Sequence, residues 1–380
     1  MTTVDLIYHE AGGGHRASVS ALCDAIAREG RPWQVRLVNL QELLDPIDLG
    51  RKLTGRRIQD IYALILNSGM TLGATAWLRV LQALIRMYHR PALRLLEKHW
   101  RESRPDIVVS LIPHFNRVLC QSVNNARPGV PFVTILTDIA DFPPRFWIER
   151  HGQYLICGSQ RAVEQALQLG HSPERIFRAS GMIIHPRFYE PLKVEPRAER
   201  RKLGLDPVRT TGLVMFGGQG PPVIGEIARR LDGSGLDVQL ILICGRNDKL
   251  VAHLRRHKFR MPVVVEGFTR EIPYYMHSSD FFIGKPGPGS LSEALAMGLP
   301  VIVERNAWTL PQERYNTEWV RENRVGVVVR SFRQIIPAVQ ELLEPARLAD
   351  LRANAAKMNN RAVFEIPGFI AKIVEDQRAE

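Results

Sequence analysis

Short apolar runs that end in glycine-rich turns recur along the chain, and each gives way to a stretch whose apolar residues have helical spacing. Continuous apolar runs of this length predict strands that are buried on both faces, as in the parallel sheets of βα units. In the first half of the chain we predict such strands in VDLIYH, DIVVSLI, PFVTILTD and YLICGS. In the second half, TGLVMF, VQLILICG, VVVEGF, FFIGKPG and LPVIVE have the same pattern. The pattern predicts an α/β protein with two Rossmann-like lobes.

A polar segment marked by prolines, EPLKVEPRAERRKLGLDP, separates the two sets of strands over residues 190–207. This composition predicts a linker that leads into a short helix. We place the boundary near residue 190, with an N-terminal lobe over 1–190 and a C-terminal lobe over 191–360. A chain of 380 residues with 45% hydrophobic content is long enough for two cores.

Cysteine usage and the start of the chain both favour a reducing compartment. The four cysteines lie far apart, without a CxxC pair or a histidine at zinc-ligand spacing, so we expect buried thiols. The first residues, MTTVDLIYHEAGGGH, lack a basic leader followed by an apolar core, and export is not expected. One uncharged run, residues 61–78, is interrupted by Asn, Ser, Gly and Thr, and we interpret it as helix, turn and helix rather than a membrane span.

The positive charge is concentrated in one segment. The formal net charge is +12, and residues 51–100 contain nine Lys and Arg against two acids. Apolar residues with helical spacing in this segment are Trp77, Leu81, Leu84, Ile85 and Tyr88, and a neighbouring stripe contains Arg79, Arg86 and Arg90. A basic amphipathic helix of this kind can lie on an anionic bilayer, although a core-facing helix with a solvated face has the same pattern. Nucleic-acid binding is less favoured because no RNA- or DNA-binding module is present.

The segment GKPGPGSLSEAL, residues 284–295, carries the clearest chemical signal. A strand ends at Gly284, a Gly/Pro turn follows, and Ser290 or Ser292 is predicted to open a helix. Free backbone N–H groups and the positive end of that helix would bind an anion, for which phosphate is the natural candidate. Glu293, one turn into the helix, could accept hydrogen bonds from ribose hydroxyls. An ordinary glycine turn with a helix cap is the alternative.

The longer stretch GFTREIPYYMHSSDFFIGKPGPGSLSEALAMGLPVIV resembles the donor-binding half of a glycosyltransferase family. That family contains monogalactosyldiacylglycerol synthase, processive diacylglycerol glucosyltransferase and the lipid II-forming N-acetylglucosaminyltransferase. The resemblance implies a GT-B architecture, in which two Rossmann-like lobes with parallel sheets face a central cleft. It also implies that residues 361–380 form a helix packing back on the N-terminal lobe.

On this resemblance, the C-terminal lobe binds a UDP-sugar. The residues implied to hold the UDP diphosphate are Pro286, Gly287, Gly289, Ser290 and Ser292, with Glu293 on the ribose and Phe268 and Thr269 near uracil. A second glycine turn, Gly217, Gly218 and Gln219, would face the diphosphate, with a turn that serves only packing as the alternative. Arg246 and Asn247 follow a strand end, where their side chains either reach an anion or belong to a solvated turn.

The motif LPQERYN would contact the donor sugar through Gln312, Glu313 and Asn316. Related sequences commonly read PGQExGN, whereas this chain has Leu310, Pro311 and Tyr315 where Pro, Gly and Gly are usual. The identity of the sugar, whether glucose, galactose or N-acetylglucosamine, is therefore left open.

The N-terminal lobe would bind the acceptor, and its motif AGGGHRAS resembles the GGGHxxxA of the family. Gly13 and Gly14 form a strand-to-helix turn in which His15 could act as a general base, bind phosphate or cap the turn. Asp138 is a second candidate base, with a helix cap as its structural alternative. Trp147 could stack on a sugar, enter lipid or simply pack in the core.

Together these features predict an inverting, metal-independent enzyme that moves a hexosyl group from a UDP-sugar to a membrane lipid, with diacylglycerol the expected acceptor. No metal and no cofactor beyond the UDP-sugar co-substrate are expected. We expect a cytoplasmic protein that is peripheral on the inner face of the cytoplasmic membrane. The alternatives are transfer of N-acetylglucosamine to another lipid-linked acceptor, a UDP-sugar 2-epimerase, and a non-catalytic UDP-sugar-binding protein.

Overall fold

The computed structural model describes residues 1–10, 14–48 and 87–379. The chain forms two compact units. The first comprises Met1–Pro186, Leu310–Tyr315 and Asn360–Glu380, and the second comprises Arg187–Thr309 and Asn316–Asn359.

The first unit contains a six-stranded parallel sheet with the strand order β2-β1-β3-β4-β5-β6. Its central strands are fully buried, as their uninterrupted apolar sequences predict. The strands are β1 (Thr2–Tyr8), β2 (Trp33–Asn39), β3 (Ile107–Ser110), β4 (Phe132–Ile135), β5 (Tyr154–Cys157) and β6 (Ile176–Arg178).

The second unit contains another six-stranded parallel sheet, with the order β12-β11-β10-β7-β8-β9. In this sheet the crossover connections bring together strands that are not consecutive in the chain. Their carboxyl ends share one edge of the sheet, which is where ligands bind in such folds. The strands are β7 (Thr210–Met215), β8 (Val238–Ile243), β9 (Val263–Glu266), β10 (Phe281–Gly284), β11 (Val301–Glu304) and β12 (Gly326–Val329).

Helices follow the strands in both units, as expected for βα repeats. Over the described residues they are α1 (Gly14–Arg28), α2 (Leu40–Leu44), α3 (His89–Ser103), α4 (Asn116–Ala126), α5 (Gln160–Gln168), α6 (Pro196–Lys202), α7 (Val223–Asp232), α8 (Asp248–Arg256), α9 (Ile272–His277), α10 (Pro288–Ala296), α11 (Pro311–Glu322), α12 (Ile335–Leu343), α13 (Pro345–Lys357) and α14 (Ala362–Ala379). Within this part of the chain, no helix is long and apolar enough to cross a membrane.

Helix α3 shows how a basic sequence is accommodated in the first unit. Ala92, Leu96 and Trp100 recur every four residues and are buried. The Trp100 indole Nε1 donates a 2.8 Å hydrogen bond to the Ser122 hydroxyl of α4, so the buried N–H is satisfied. The opposite face of α3 is basic and exposed.

The C-terminal helix α14 belongs to the first unit. Its apolar residues Ile366, Ile370 and Ile373 are buried. The Glu365 carboxylate accepts a 2.7 Å hydrogen bond from the Ser180 amide, which follows the edge strand β6. The helix therefore contacts a part of this unit that lies 185 residues away in sequence.

A carboxylate at the amino end of β10 ties several elements of the second unit together. Asp280 accepts hydrogen bonds from Arg200 at 2.7 Å, from Arg352 at 2.8 Å and from the Thr211 amide at 2.8 Å. The charged pairs link α6 and α13 to the strand ends, and they are the strong kind of hydrogen bond. These hydrogen bonds fix the amino-terminal edge of the sheet, which is the edge opposite to the glycine turns.

Candidate functional site

The glycine turn after β10 leads directly into helix α10. The helix begins at Pro288, with Gly287 as its N-cap, and no side chain caps it. Our expectation that Ser290 or Ser292 opens the helix was wrong, because proline at the first helical position has the right φ and needs no N–H partner. Ser290 instead donates its hydroxyl to the Gly287 carbonyl at 3.3 Å. The first-turn amides are thus left without a side-chain partner, as an anion-binding helix end requires.

Glu293 lies one turn inside α10 and is half-buried. Burial raises the pKa of its carboxyl group to about 7, and the Arg187 guanidinium opposes this rise. The carboxyl group therefore changes charge near neutral pH. It is placed where a ribose hydroxyl bound beside the helix end could donate to it.

Two further glycine turns of the second unit interlock, after β7 and after β8. Gly220 has φ +60°, and a Cβ on it would lie 1.7 Å from the Cys244 carbonyl oxygen. The Asn247 side chain donates to the Gly220 carbonyl at 2.7 Å and accepts from the Leu250 amide at 3.0 Å. Asn247 therefore caps α8 and joins the two turns, which is a structural use of a residue predicted to bind the donor.

Arg246 and Phe268, predicted at the diphosphate and the uracil, lie together. The Arg246 guanidinium carbon is 4.5 Å from the centroid of the Phe268 ring, a cation–π distance. The ring is 55% exposed. Thr269 accepts a 3.0 Å hydrogen bond from the Glu271 amide and so shapes the loop behind the ring. An exposed aromatic face beside a cation suits a flat base next to a phosphate.

Helix α11 contacts the glycine turn through Asn316. Its side-chain amide donates to the Pro286 carbonyl at 2.7 Å, while its Oδ1 is buried and has no partner among the described residues. The Gln312 Oε1, one turn earlier, is also buried without a partner within that part of the chain. A buried amide oxygen without a hydrogen-bond partner costs stability, because it has lost its hydrogen bond to water. A hydroxyl group that donated to it would remove this cost. Glu313 is buried as well.

In the first unit, the His15 side chain lies at the carboxyl end of β3. The His15 Nδ1 lies 2.9 Å from the Leu111 carbonyl oxygen and 3.3 Å from the Thr137 hydroxyl. Because a carbonyl only accepts hydrogen bonds, Nδ1 carries the proton and Nε2 keeps its lone pair. Burial, together with neighbouring His9 and His114, lowers the pKa of His15 to about 3. The ring is consequently neutral at pH 7, in the form that a general base needs.

Asp138 and Trp147, nine residues apart, are brought into direct contact. The Trp147 indole Nε1 donates to the Asp138 carboxylate at 2.9 Å, and the Trp147 ring is fully buried. Asp141 fixes the same loop by accepting the amides of Trp147 and Arg145 at 2.6 and 2.8 Å. Burial raises the pKa of Asp141 to about 6. In this arrangement Trp147 is a core residue that orients Asp138, rather than a stacking surface.

Sequence reasoning missed two histidines beside His15. His9 follows β1, and its ring centroid is 4.5 Å from that of His15 in an edge-on arrangement. His114 follows β3 in a left-handed backbone conformation, φ 67°. His9 is the last residue of the predicted strand VDLIYH and His114 comes two residues after the predicted strand DIVVSLI, and this position at a strand end is the signal that could have identified them.

Several predicted residues lie outside the described part of the chain: Gly13, Trp77, Arg79 and Arg86. Arg90 is described and exposed on α3. Gly14 begins α1 and is exposed. Gly217 has φ +80°, and the Gly218 carbonyl accepts a hydrogen bond from the Arg246 amide at 2.9 Å.

Among the residues that the structure describes, no group of three or more His, Cys, Asp or Glu is arranged to hold a metal ion.

Two family models match the chain, one in each half. The monogalactosyldiacylglycerol (MGDG) synthase model matches residues 15–183, and the glycosyltransferase family 28 C-terminal domain model matches residues 213–364. A probable monogalactosyldiacylglycerol synthase from Nicotiana tabacum is 29% identical over 393 residues, covering 99% of this chain and 71% of the relative. Monogalactosyldiacylglycerol synthase 3 of Arabidopsis thaliana is 29% identical over 401 residues, and the match covers 99% of this chain and 82% of that relative.

Solved structures agree on the fold. Acinetobacter baumannii MurG superposes with a TM-score of 0.64 at 11% identity, covering 98% of this chain and all of MurG. Anabaena HepE in complex with UDP-glucose gives a TM-score of 0.56 at 16% identity, covering 99% of this chain and all of HepE. Fold, glycine turns and family models define a UDP-sugar glycosyltransferase with the GT-B fold. More narrowly, the chain is similar to the monogalactosyldiacylglycerol synthases, whose model matches its N-terminal half and whose named relatives align with nearly its whole length.

Proposed function

We propose that this enzyme moves a hexosyl group from a UDP-sugar to the free hydroxyl of diacylglycerol in a membrane, with inversion at the anomeric carbon. The observation that carries the proposal is His15: the Leu111 carbonyl fixes the proton on its Nδ1 and leaves the lone pair on Nε2, in the segment that matches the MGDG synthase model. The names of the curated relatives support the acceptor class.

The proposed reaction is one displacement. The acceptor oxygen attacks the anomeric carbon and its proton passes to His15 Nε2, while the bond from the anomeric carbon to the UDP oxygen breaks. A single displacement inverts the configuration at that carbon. Asp138 is the alternative base, but one of its carboxylate oxygens already accepts the Trp147 indole N–H. We therefore favour His15 as the base and Asp138 as a group that stabilises the resulting imidazolium.

On the donor side, the uncapped N-terminus of α10 would bind the diphosphate through the amides of Gly289 and Ser290, with Arg246 as the cation. These groups would stabilise the departing UDP without a metal ion. The sugar hydroxyls would donate to the buried oxygens of Gln312 and Asn316. Phe268 would stack on the base.

We further propose that the enzyme works as a peripheral protein on the cytoplasmic face of a membrane, where its lipid acceptor lies. The exposed basic face of α3 supports contact with anionic lipid. The N-terminal unit would then receive diacylglycerol from the bilayer.

The test is incubation with radiolabelled UDP-galactose, UDP-glucose and UDP-N-acetylglucosamine in the presence of diacylglycerol vesicles. We expect one label to enter the organic phase in a diacylglycerol-dependent manner. The variant His15→Ala, combined with Asp138→Asn, should lose transfer while retaining UDP affinity. Epimerisation of the free UDP-sugar without an acceptor, or UDP-sugar binding without turnover, would contradict transfer.

A further inference from the structure

Three histidines lie at the carboxyl edge of the first sheet, where the rings of two of them are in contact, and the proposed reaction uses only one. His9 comes from the end of β1, His15 from the start of α1, and His114 from the turn after β3. The centroids of the His9 and His15 rings are 4.5 Å apart, with an angle of 69° between their planes. The His114 ring packs edge-on against Phe146 at 4.2 Å.

Three other groups in the described part of the chain lie around the His15 ring, and each makes a hydrogen bond of its own. The Leu111 carbonyl fixes the proton on Nδ1, and the Leu111 amide is itself held by the Ile7 carbonyl at 3.0 Å. Thr137 lies beside the same nitrogen, at 3.3 Å. Trp147 approaches the ring at a centroid distance of 5.9 Å and binds Asp138.

We propose that His9 is a positioning residue for His15, whose ring it holds against the Leu111 carbonyl so that Nε2 is aimed at the acceptor hydroxyl. The inference rests on the proposed function, because it concerns the same base. The edge-on contact restricts rotation of the His15 ring and excludes water from one of its faces.

The charges around His15 support this role. Burial lowers the pKa of His9 to about 4, and that of His114 also to about 4. The pKa of His15 is lowered to about 3, first by burial and then by His9. As the pH falls, His9 is protonated before His15 and its positive charge then opposes protonation of His15. Loss of the His9 ring removes this repulsion and admits water, and both effects raise the pKa of His15.

The experiment compares His9→Ala and His9→Phe with the unsubstituted enzyme, by titration of 15N-histidine NMR signals and by transfer kinetics against pH. The His15 signal is assigned from its absence in His15→Gln. In His9→Ala we expect the pKa of His15 to rise by about one unit or more, and kcat to fall about tenfold. In His9→Phe, which keeps a ring but no charge, the pKa should also rise, while kcat above pH 7 stays within about twofold of the original.

The matched control is His257→Ala, which removes an imidazole from another edge-on pair, with Phe259 at 4.5 Å, in the second unit. It should leave the titration of His15 unchanged. A purely structural His9 would give no recovery of kcat in His9→Phe and an unmoved His15 pKa, and this result would overturn the inference. The NMR titration does not depend on turnover, so absence of transfer by the unsubstituted chain would count against the proposed function alone.

Discussion

Gly289 in the first turn of α10 allows a direct test of backbone contact with the diphosphate. A Cβ at this position meets nothing within 4 Å, so alanine fits the unliganded protein. Alanine should even stabilise the helix, by about 0.5–1 kcal/mol. If the diphosphate lies against this backbone, however, the added methyl group would obstruct it. We expect Gly289→Ala to raise the Kd for UDP about tenfold, measured by calorimetry, while the thermal midpoint does not fall.

Gly368, in the exposed face of α14, is the matched control for this substitution. Its Cβ would also be unhindered, with the Arg31 guanidinium 4.0 Å away. Gly368→Ala should therefore give the same small stabilisation without a change in UDP affinity. Equal UDP affinity in both variants would contradict diphosphate binding at α10.

The raised pKa of Glu293 predicts that the affinity for the donor depends on pH. Its pKa is raised to about 7 by burial, so much of the carboxyl group is protonated at pH 6 and most is ionised at pH 8. Ribose hydroxyls donate more strongly to a carboxylate than to a carboxylic acid. Binding therefore favours the ionised form, and the Kd for UDP-galactose should fall as the pH rises from 6 to 8.

The pH dependence should disappear in Glu293→Gln. In Glu226→Gln, which changes an exposed acid of α7, it should remain. Intrinsic fluorescence titration at five pH values is sufficient to measure it. A Kd that is constant between pH 6 and 8 in the unsubstituted protein would exclude the ribose role.

Residue positions were predictable from the sequence where a short motif sets the local geometry. Glu293 and His15 each stand at a fixed distance from a glycine turn, and the turn determines where the side chain lies. Asn247 was not distinguishable in this way, because one of its two side-chain hydrogen bonds is made to a second turn 27 residues earlier. The burial of Trp147 likewise depends on Asp138 and Asp141, which a linear pattern cannot place.

At the scale of elements, the central strands were predictable and most edge strands were not. The nine strands we predicted are all present. Those missed were β2, β6 and β12, and each lies at the edge of its sheet. An edge strand has one unpaired side, and β2 and β6 are only partly buried, so they lack the continuous apolar run of a central strand. The strand β12 is apolar and has four residues, as several of the predicted strands do, so its short run VGVVV was a signal that the prediction omitted.

Helix α14 provides the element-scale prediction. Ile370 is fully buried in the contact between this helix and the rest of the first unit. Ile370→Ala should cost about 2–5 kcal/mol of unfolding free energy, because the deleted methyl groups leave a cavity. Urea denaturation followed by fluorescence should show the loss in the transition that includes the first unit.

Lys372, two residues further along α14, is exposed and provides the comparison. Lys372→Ala should stay within about 0.5 kcal/mol of the unsubstituted protein. UDP affinity should be unchanged in both variants, since the donor turns lie in the second unit. A stability loss in Ile370→Ala no larger than in Lys372→Ala would show that α14 is not part of the folded core.

For the whole molecule, the distribution of charge predicts how the enzyme meets its lipid. Arg90, Arg94 and Lys98 recur every four residues on the exposed face of α3, opposite to the buried stripe. Each cation near an anionic bilayer contributes about 1 kcal/mol, and the contribution is screened by salt. Replacing all three by Glu should weaken binding to phosphatidylglycerol-containing vesicles at least about tenfold in a sedimentation assay, and 1 M salt should abolish the difference.

A charge-matched variant separates local contact from overall charge. Arg256, Lys258 and Arg260 are exposed in the second unit, and replacing them by Glu changes the net charge by the same amount. If vesicle binding depended only on net charge, the two variants would bind equally weakly. If α3 lies at the membrane, only the α3 variant loses vesicle binding, and its transfer to vesicle-embedded diacylglycerol falls while UDP affinity is retained. Equal losses in the two variants would therefore contradict a membrane contact through α3, because a nonspecific attraction does not depend on which face carries the charge.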